Sequence, residues 1–251
     1  MSGCDAYYQI QPKLCYDDAW QDIDQAAGHG QLMRKKARWV RAGICVSIVV
    51  TGVLLFSYRV PLLLRAGSFM APRTSGTADV IILEGAGIVE TGAVHAAIER
   101  VSAGKGSRVV VVLHLLSHGE RLYGLDEDYP DLVRKKLVLS GLTEQQVMVI
   151  ATPAKAPKTL NEAAMVLEAL SKEGVRHALL LAKGFHARRS FLVYQHVGRP
   201  LGIRIISSAY FNDYQLNDWW THHEGVEDFA TEVIKLLYYQ VRGYIPLKYS
   251  Y

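Results

Sequence analysis

The densest chemistry in the chain is the run Lys183-Gly184-Phe185-His186-Ala187-Arg188-Arg189-Ser190. A histidine gives and takes a proton near neutral pH. Arginine presents a planar fork of donors that suits phosphate or carboxylate oxygens. The run follows HALLLA at 177–182, which reads as a strand, and precedes 186–196, which reads as a helix. Gly184 permits a tight exit between the two. Cations at a helix N-terminus oppose its dipole, so helix stability does not explain Arg188 and Arg189. An anionic ligand does; a solvated basic face is the competing reading. His186 is therefore the acid–base candidate, and Lys183, Arg188 and Arg189 are candidate ligand-binding residues.

Three other segments carry polar groups just after apolar runs. Glu84-Gly85-Ala86-Gly87 follows DVIIL at 79–83. Gly85 and Gly87 let a ligand approach backbone N–H groups, and the following helix N-terminus favours an anion. The full GxGxxG spacing is absent, so no dinucleotide fold is claimed. His114, Ser117, His118 and Glu120 could form a metal or acid–base group or only a polar loop. There is no HExxH and no CxxC, so no metal-ligand set is assigned. Thr159 reads as the N-cap of a helix over 159–173, with Glu162 at its third position and Asn161 in the same turn. Lys155 and Lys158 add positive charge there. Near the C-terminus, Trp219 and Trp220 read as packing residues, and Glu224 opens a last helix where it could cap or face a pocket.

These residues need a frame. Apolar runs at 79–83, 108–115, 147–150, 177–182 and 203–207 alternate with helical patterns at 90–102, 130–140, 159–173, 186–196 and 226–242. Such alternation predicts an α/β, Rossmann-like fold: a mainly parallel sheet flanked by helices. RVVVVLHL at 108–115 suits a strand buried on both faces. Ligands of such sheets bind beyond the carboxyl ends of the strands, where the candidates above fall.

The charge is uneven. The 251 residues carry a net +4 and are 50% hydrophobic. Residues 1–33 hold Lys13 against Asp5, Asp17, Asp18, Asp22 and Asp24; Arg34, Lys35, Lys36, Arg38 and Arg41 follow. An uncharged run then spans 42–58. As a helix it is about 26 Å long, just short of a hydrocarbon core, and Trp39, Val40 and Tyr58 extend it. The expectation is a signal-anchor helix with the N-terminus in the cytoplasm, because the basic residues cluster before it. The chain then divides into a cytoplasmic tail with a basic collar (1–38), a transmembrane helix (39–59), a linker (60–76) and an extracytoplasmic α/β domain (77–251). Cys4 and Cys15 fall on the cytoplasmic side and Cys45 in the span, so the exported part needs no oxidative folding. Mild net charge gives no support for nucleic-acid binding. With 21% charged and 10% aromatic residues, the composition argues against wholesale disorder.

The C-terminal half resembles the uncharacterised-domain family that includes SanA, ElyC and YdcF. The residues that carry the resemblance are Asp79-Val-Ile-Ile-Leu with Gly85 and Gly87, Thr159-Leu-Asn-Glu-Ala163, and Phe185-His-Ala-Arg-Arg-Ser190. Trp219-Trp220 and Glu224-Gly225-Val226 look like the C-terminal pattern of one branch. The resemblance covers about 77–244. It implies a Rossmann-like domain held outside the inner membrane by one helix, with a role in envelope integrity, peptidoglycan or lipid-carrier metabolism. The leading expectation is an envelope-biogenesis protein that binds an anionic, phosphorylated ligand such as a polyprenyl-phosphate carrier or cell-wall precursor. Its expected partners are the lipid bilayer, that carrier and envelope-synthesis proteins; no cofactor is assigned. The alternatives are a non-catalytic envelope sensor or scaffold, and a nucleotide- or S-adenosylmethionine-binding domain.

Overall fold

The computed structural model describes residues 39–84, 90–114, 129–153 and 155–246. The expectations for the N-terminal tail, for Gly85 and Gly87, and for Ser117, His118 and Glu120 lie outside these residues. The chain divides into two compact units, Met1–Val60 and Pro61–Tyr251.

In the first unit, helix α1 (Trp39–Ser57) has a mean hydropathy of 2.1 and buries none of its length. It is long and apolar enough to cross a membrane. At 1.5 Å per residue it measures about 28 Å. Helix α2 (Arg59–Met70) follows, and from Pro61 it belongs to the second unit. The expected linker over 60–76 thus begins as a helix. Its inner face is small: Gly67 and Met70 are buried, and the Leu63 carbonyl accepts a hydrogen bond from Trp219 Nε1 at 3.3 Å.

The second unit is a five-stranded parallel sheet with strands β1 (Val80–Glu84), β2 (Val109–His114), β3 (Val147–Thr152), β4 (His177–Lys183) and β5 (Arg204–Tyr210). The order is β3-β2-β1-β4-β5. Helices α3 (Thr91–Ser102), α4 (Tyr129–Leu139), α5 (Lys158–Lys172), α6 (His186–Gly198) and α7 (His223–Val241) complete it. The strands are apolar on both faces, as a sheet covered on both sides requires. Alternate residues serve opposite layers. Val80, Ile82, Val110, Val112, Leu180 and Ala182 join the core with α5, α6 and α7. Ile81, Leu83, Val109, Val111 and Leu181 join the core with α3 and α4. Each of these valines, leucines and isoleucines, fully buried, contributes roughly 1.5–3 kcal/mol.

The strand order reverses direction between β1 and β4. Helices leaving their carboxyl ends go to opposite faces there and open a crevice. Gly184 ends β4 with φ +48, and a Cβ at that position would lie 2.7 Å from Tyr214 Oη. Both the turn and the close approach call for glycine. The chain can therefore fold sharply from Lys183 into α6.

The paired tryptophans are packing residues. Trp219 is buried in a short 3-10 turn, stacks on Phe229 at 4.4 Å and meets Phe185 edge-on at 5.2 Å. Gly225 lets α7 begin against this turn. A Cβ there would stand 2.2 Å from the Trp219 carbonyl oxygen, a backbone atom that has no rotamer to escape into. Gly225→Ala is expected to destabilise the protein by roughly 1–3 kcal/mol. Urea unfolding of the full-length protein in detergent, followed by tryptophan fluorescence, measures it.

Candidate functional site

A cavity of about 720 Å³ opens at the carboxyl ends of the strands, at the reversal point. Its wall brings together Glu84 from the end of β1, His114 from the end of β2, Thr159 and Glu162 from the first turn of α5, Lys183 from the end of β4, and His186 and Arg189 from the first turn of α6. Helix α7 supplies Glu232 and Lys235 from the other side.

Arg189 is the hub. Its side chain is only 7% exposed, and Glu232 opposite it is 9% exposed. Nε donates to Glu232 Oε2 at 2.9 Å, and Nη2 donates to Oε1 at 3.1 Å, a bidentate pair. Nη1 donates to Thr159 Oγ1 at 2.8 Å. Nη2 also approaches His186 Nδ1 at 2.8 Å. Lys235 Nζ reaches the same Glu232 Oε1 at 3.0 Å. Burial raises the Glu232 carboxyl, but the His186 and Arg189 bonds outweigh it and hold the group well below its usual range. The anion that answers Arg189 is thus a carboxylate of the chain itself, and Arg189 is a positioning residue with most of its fork committed.

His186 sits between two carboxylates. Nε2 lies 3.3 Å from Glu84 Oε1 and Nδ1 lies 3.4 Å from Glu232 Oε2. An arginine only donates, so the Arg189 contact marks Nδ1 as an acceptor in the neutral ring, with the proton on Nε2. A second proton on Nδ1 would face Glu232 Oε2, 3.4 Å away. Desolvation opposes that charge. Glu84 and Glu232 outweigh it and push the pKa up to about 9. The imidazolium is thus held between two carboxylates, one of which Arg189 and Lys235 also share.

Ser190 Oγ lies 2.9 Å from His186 Nε2. With Glu232 on the far nitrogen, the row has the order of a nucleophile, base and orienter. Ser190 is fully buried and is not on the cavity wall, however. It props the ring and cannot meet a substrate.

A second acid–base pair lies across the cavity. His114 Nδ1 is 2.8 Å from Glu162 Oε1. Burial, then repulsion from Glu84, raises the Glu162 pKa to about 7, against the pull of His186, Lys158 and Arg189. Glu84 moves the other way: burial opposes its charge, and His186 more than compensates. Neighbouring carboxylates thus hold different protonation states near neutrality, a pattern suited to proton transfer.

The remaining candidates fall as follows. Helix α5 starts at Lys158 after Pro157, so Thr159 is inside the helix and not its N-cap. Its hydroxyl accepts from Arg189 and is not free to cap a backbone N–H. Asn161 donates from Nδ2 to the Lys155 carbonyl at 2.9 Å and is not on the cavity wall. Lys183 lines the cavity but pairs with Glu90 at 2.9 Å and Asp213 at 3.2 Å. Arg188 lies off the cavity with its guanidinium 4.4 Å from the Phe69 ring. Glu224 is exposed in the first turn of α7, away from the cavity. No group of three or more metal-ligating side chains is found among the described residues.

Glu232 is the important residue that reading along the sequence misses. It looks like one more acid after Glu224, Glu227 and Asp228. Its signal is spacing: Glu232, Leu236 and Tyr239 lie four and seven residues along one helix face, and all three are buried.

No protein-family profile and no curated protein matches the chain. Among solved structures, a pantothenate synthetase from Thermus thermophilus is similar, with a TM-score of 0.35 and 16% identity. The match covers 67% of this chain and 68% of that one. So loose a match carries no statement about this chain's chemistry.

The charge network fixes a pH dependence. Raised folded pKa values mean stability that is present at low pH and lost as pH rises. For Glu162 the loss runs from pH 4.5 to about 7, and for His186 from pH 6.5 to about 9. Glu232 acts in the opposite sense and loses its contribution as acid protonates it. Stability is therefore expected to peak in mild acid and fall through pH 9, read by urea unfolding across pH 4–10. Glu232→Gln is expected to cost roughly 3–5 kcal/mol at neutral pH, because it leaves Arg189 buried and unpaired. It also lowers the His186 pKa, which imidazole NMR titration reports.

Proposed function

We propose that the second unit binds an anionic, phosphorylated ligand in the cavity at the strand reversal, with acid–base groups beside it. The observation that carries this reading is the N-terminus of α5. Ala156, Pro157, Lys158 and Thr159 all line the cavity, and the N-cap residue Pro157 makes no side-chain cap. The first N–H groups of a helix lack intrahelical partners, and the positive end of this fifteen-residue helix thus lies at the cavity wall. Lys158 stands exposed beside them, and Lys235 and the readily protonated His186 add charge. A phosphate is the group such a wall takes best.

The finer reading is an envelope-biogenesis protein of the YdcF-like kind. Helix α1 anchors it in the inner membrane with the N-terminus cytoplasmic and the α/β domain outside. The ligand is then a polyprenyl-phosphate carrier or a cell-wall precursor, met at the membrane along with envelope-synthesis proteins. The motif residues Thr159, His186 and Arg189 support this, and so does an apolar helix next to a basic collar. If a reaction follows binding, His186 and Glu162 are the groups placed to move protons.

The strand order supports a second reading. A switch-point crevice of this order also suits nucleotides.

Titration calorimetry on the full-length protein in detergent separates the two. Farnesyl pyrophosphate and inorganic pyrophosphate are expected to bind, and ATP and S-adenosylmethionine are not. Lys158→Ala should weaken binding about tenfold, the effect of one charge-assisted contact. Wild-type affinity should fall as pH rises past about 9 and His186 loses its charge. Binding of ATP or S-adenosylmethionine without pyrophosphate would overturn the phosphate-carrier reading.

A further inference from the structure

Helix α7 has two different outer faces along its length. Its first half shows His223, Glu224, Glu227 and Thr231 to solvent, with Val226 as its one exposed large apolar side chain, at 47%. Its last two turns show Ile234, Leu237, Tyr238 and Val241, which are 67%, 55%, 52% and 84% exposed. The spacing of three, one and three residues puts these four on one stripe. Arg242 follows, exposed, with its guanidinium over the Tyr244 ring. A soluble helix keeps such a stripe against a core, yet here the core side is already occupied by Leu236 and Tyr239. The stripe is also continuous with the cavity, because Tyr238 and Lys235 line its wall.

We infer that the C-terminal two turns of α7 rest in the headgroup layer of a lipid bilayer and place the cavity mouth at that surface. Three observations select lipid over another occupant. First, the chain carries α1, a helix apolar enough to cross a membrane. Second, the tether is short. Leu63 is already bonded to Trp219, six residues after α1 ends at Ser57. Six residues span at most about 20 Å. Third, the polarity runs along the helix and not around it. Apolar groups, tyrosines and an arginine gather at one end, and Glu224 and Glu227 lie toward the other. That gradient suits a helix that dips one end into an interface, whereas a packed protein partner would call for apolar groups along the whole face. A lipid-borne ligand could then pass from bilayer to cavity beside Tyr238 without crossing water. The surface itself does not depend on what the cavity binds.

The test uses full-length protein in nanodiscs of phosphatidylethanolamine and phosphatidylglycerol. Cys4, Cys15 and Cys45 are replaced by Ser, and a polarity-sensitive fluorophore is placed at Leu237→Cys, Val241→Cys or Glu227→Cys. A further sample keeps Cys45 as its single label and reports insertion of α1. Spin-labelled lipids carry the quencher near the headgroups. The probes at 237 and 241 should shift to the blue and quench about twofold more than the probe at 227, as burial to about 5–10 Å implies. Equal quenching at 227, 237 and 241 overturns the inference, whether or not Cys45 is quenched. So does an unlabelled Val241→Cys sample that is linked into a disulfide-bonded dimer by added copper–phenanthroline oxidant, which would make the stripe a dimer contact. Failure here with pyrophosphate still bound leaves the ligand reading standing, so the two fail separately.

Discussion

The bidentate pair between Arg189 and Glu232 organises the site. A guanidinium buried to this degree is costly unless a carboxylate meets it in good geometry. That demand brings α7 against α6, two helices whose bonded residues are 43 apart in the chain. The same guanidinium reaches Thr159 and draws in the first turn of α5. It also faces His186 and, with Glu84 and Glu232, decides where the imidazole proton resides. Three helices and one titrating ring are thus registered by a single planar cation. A lysine could not do this, because it lacks the fixed fork.

Around that hub the cavity sorts its charges. Glu232 and Glu84 remain ionised beside cations, while Glu162, desolvated and repelled by Glu84, holds a proton near neutrality. The acids and bases are spent largely on one another. Positive charge is left over at the mouth, where Lys158 and the uncapped start of α5 face open space. The site therefore combines a positively charged rim with a floor of paired acids and bases. Parallel strands make this arrangement possible, since their carboxyl ends deliver Glu84, His114 and Lys183 to one edge from three separate segments.

Much of this frame was legible in the chain. Each of the five expected strands appears, within one residue at its start, because DVIIL, RVVVVLHL and HALLLA are too apolar to be exposed on either face. The helices follow from local spacing and from punctuation such as Gly174 and Gly184. Departures fall where side chains have a choice of partner. Thr159 has the look of an N-cap, but a buried arginine claims its hydroxyl and the helix begins one residue earlier. The segment after the span has the look of a linker, but Gly67 lets α2 press close to Trp219. Arg188 and Arg189 are adjacent and alike in sequence. A step of about 100° around the helix sends one to Phe69 and the other into the core.

Short-range patterns along the chain were enough to set the alternation of strands and helices, the parallel sheet and the apolar N-terminal helix. They also located the His186 and Arg189 cluster just past β4. Hydrophobic period and turn chemistry act over a few residues, so a linear reading captures them. Packing had to supply the partners: Glu232 for Arg189, two carboxylates around His186, and His114 for Glu162 across the crevice. An ion pair needs angstrom-scale proximity between segments far apart in the chain. No local pattern encodes that distance; it is set when the helices pack on the sheet.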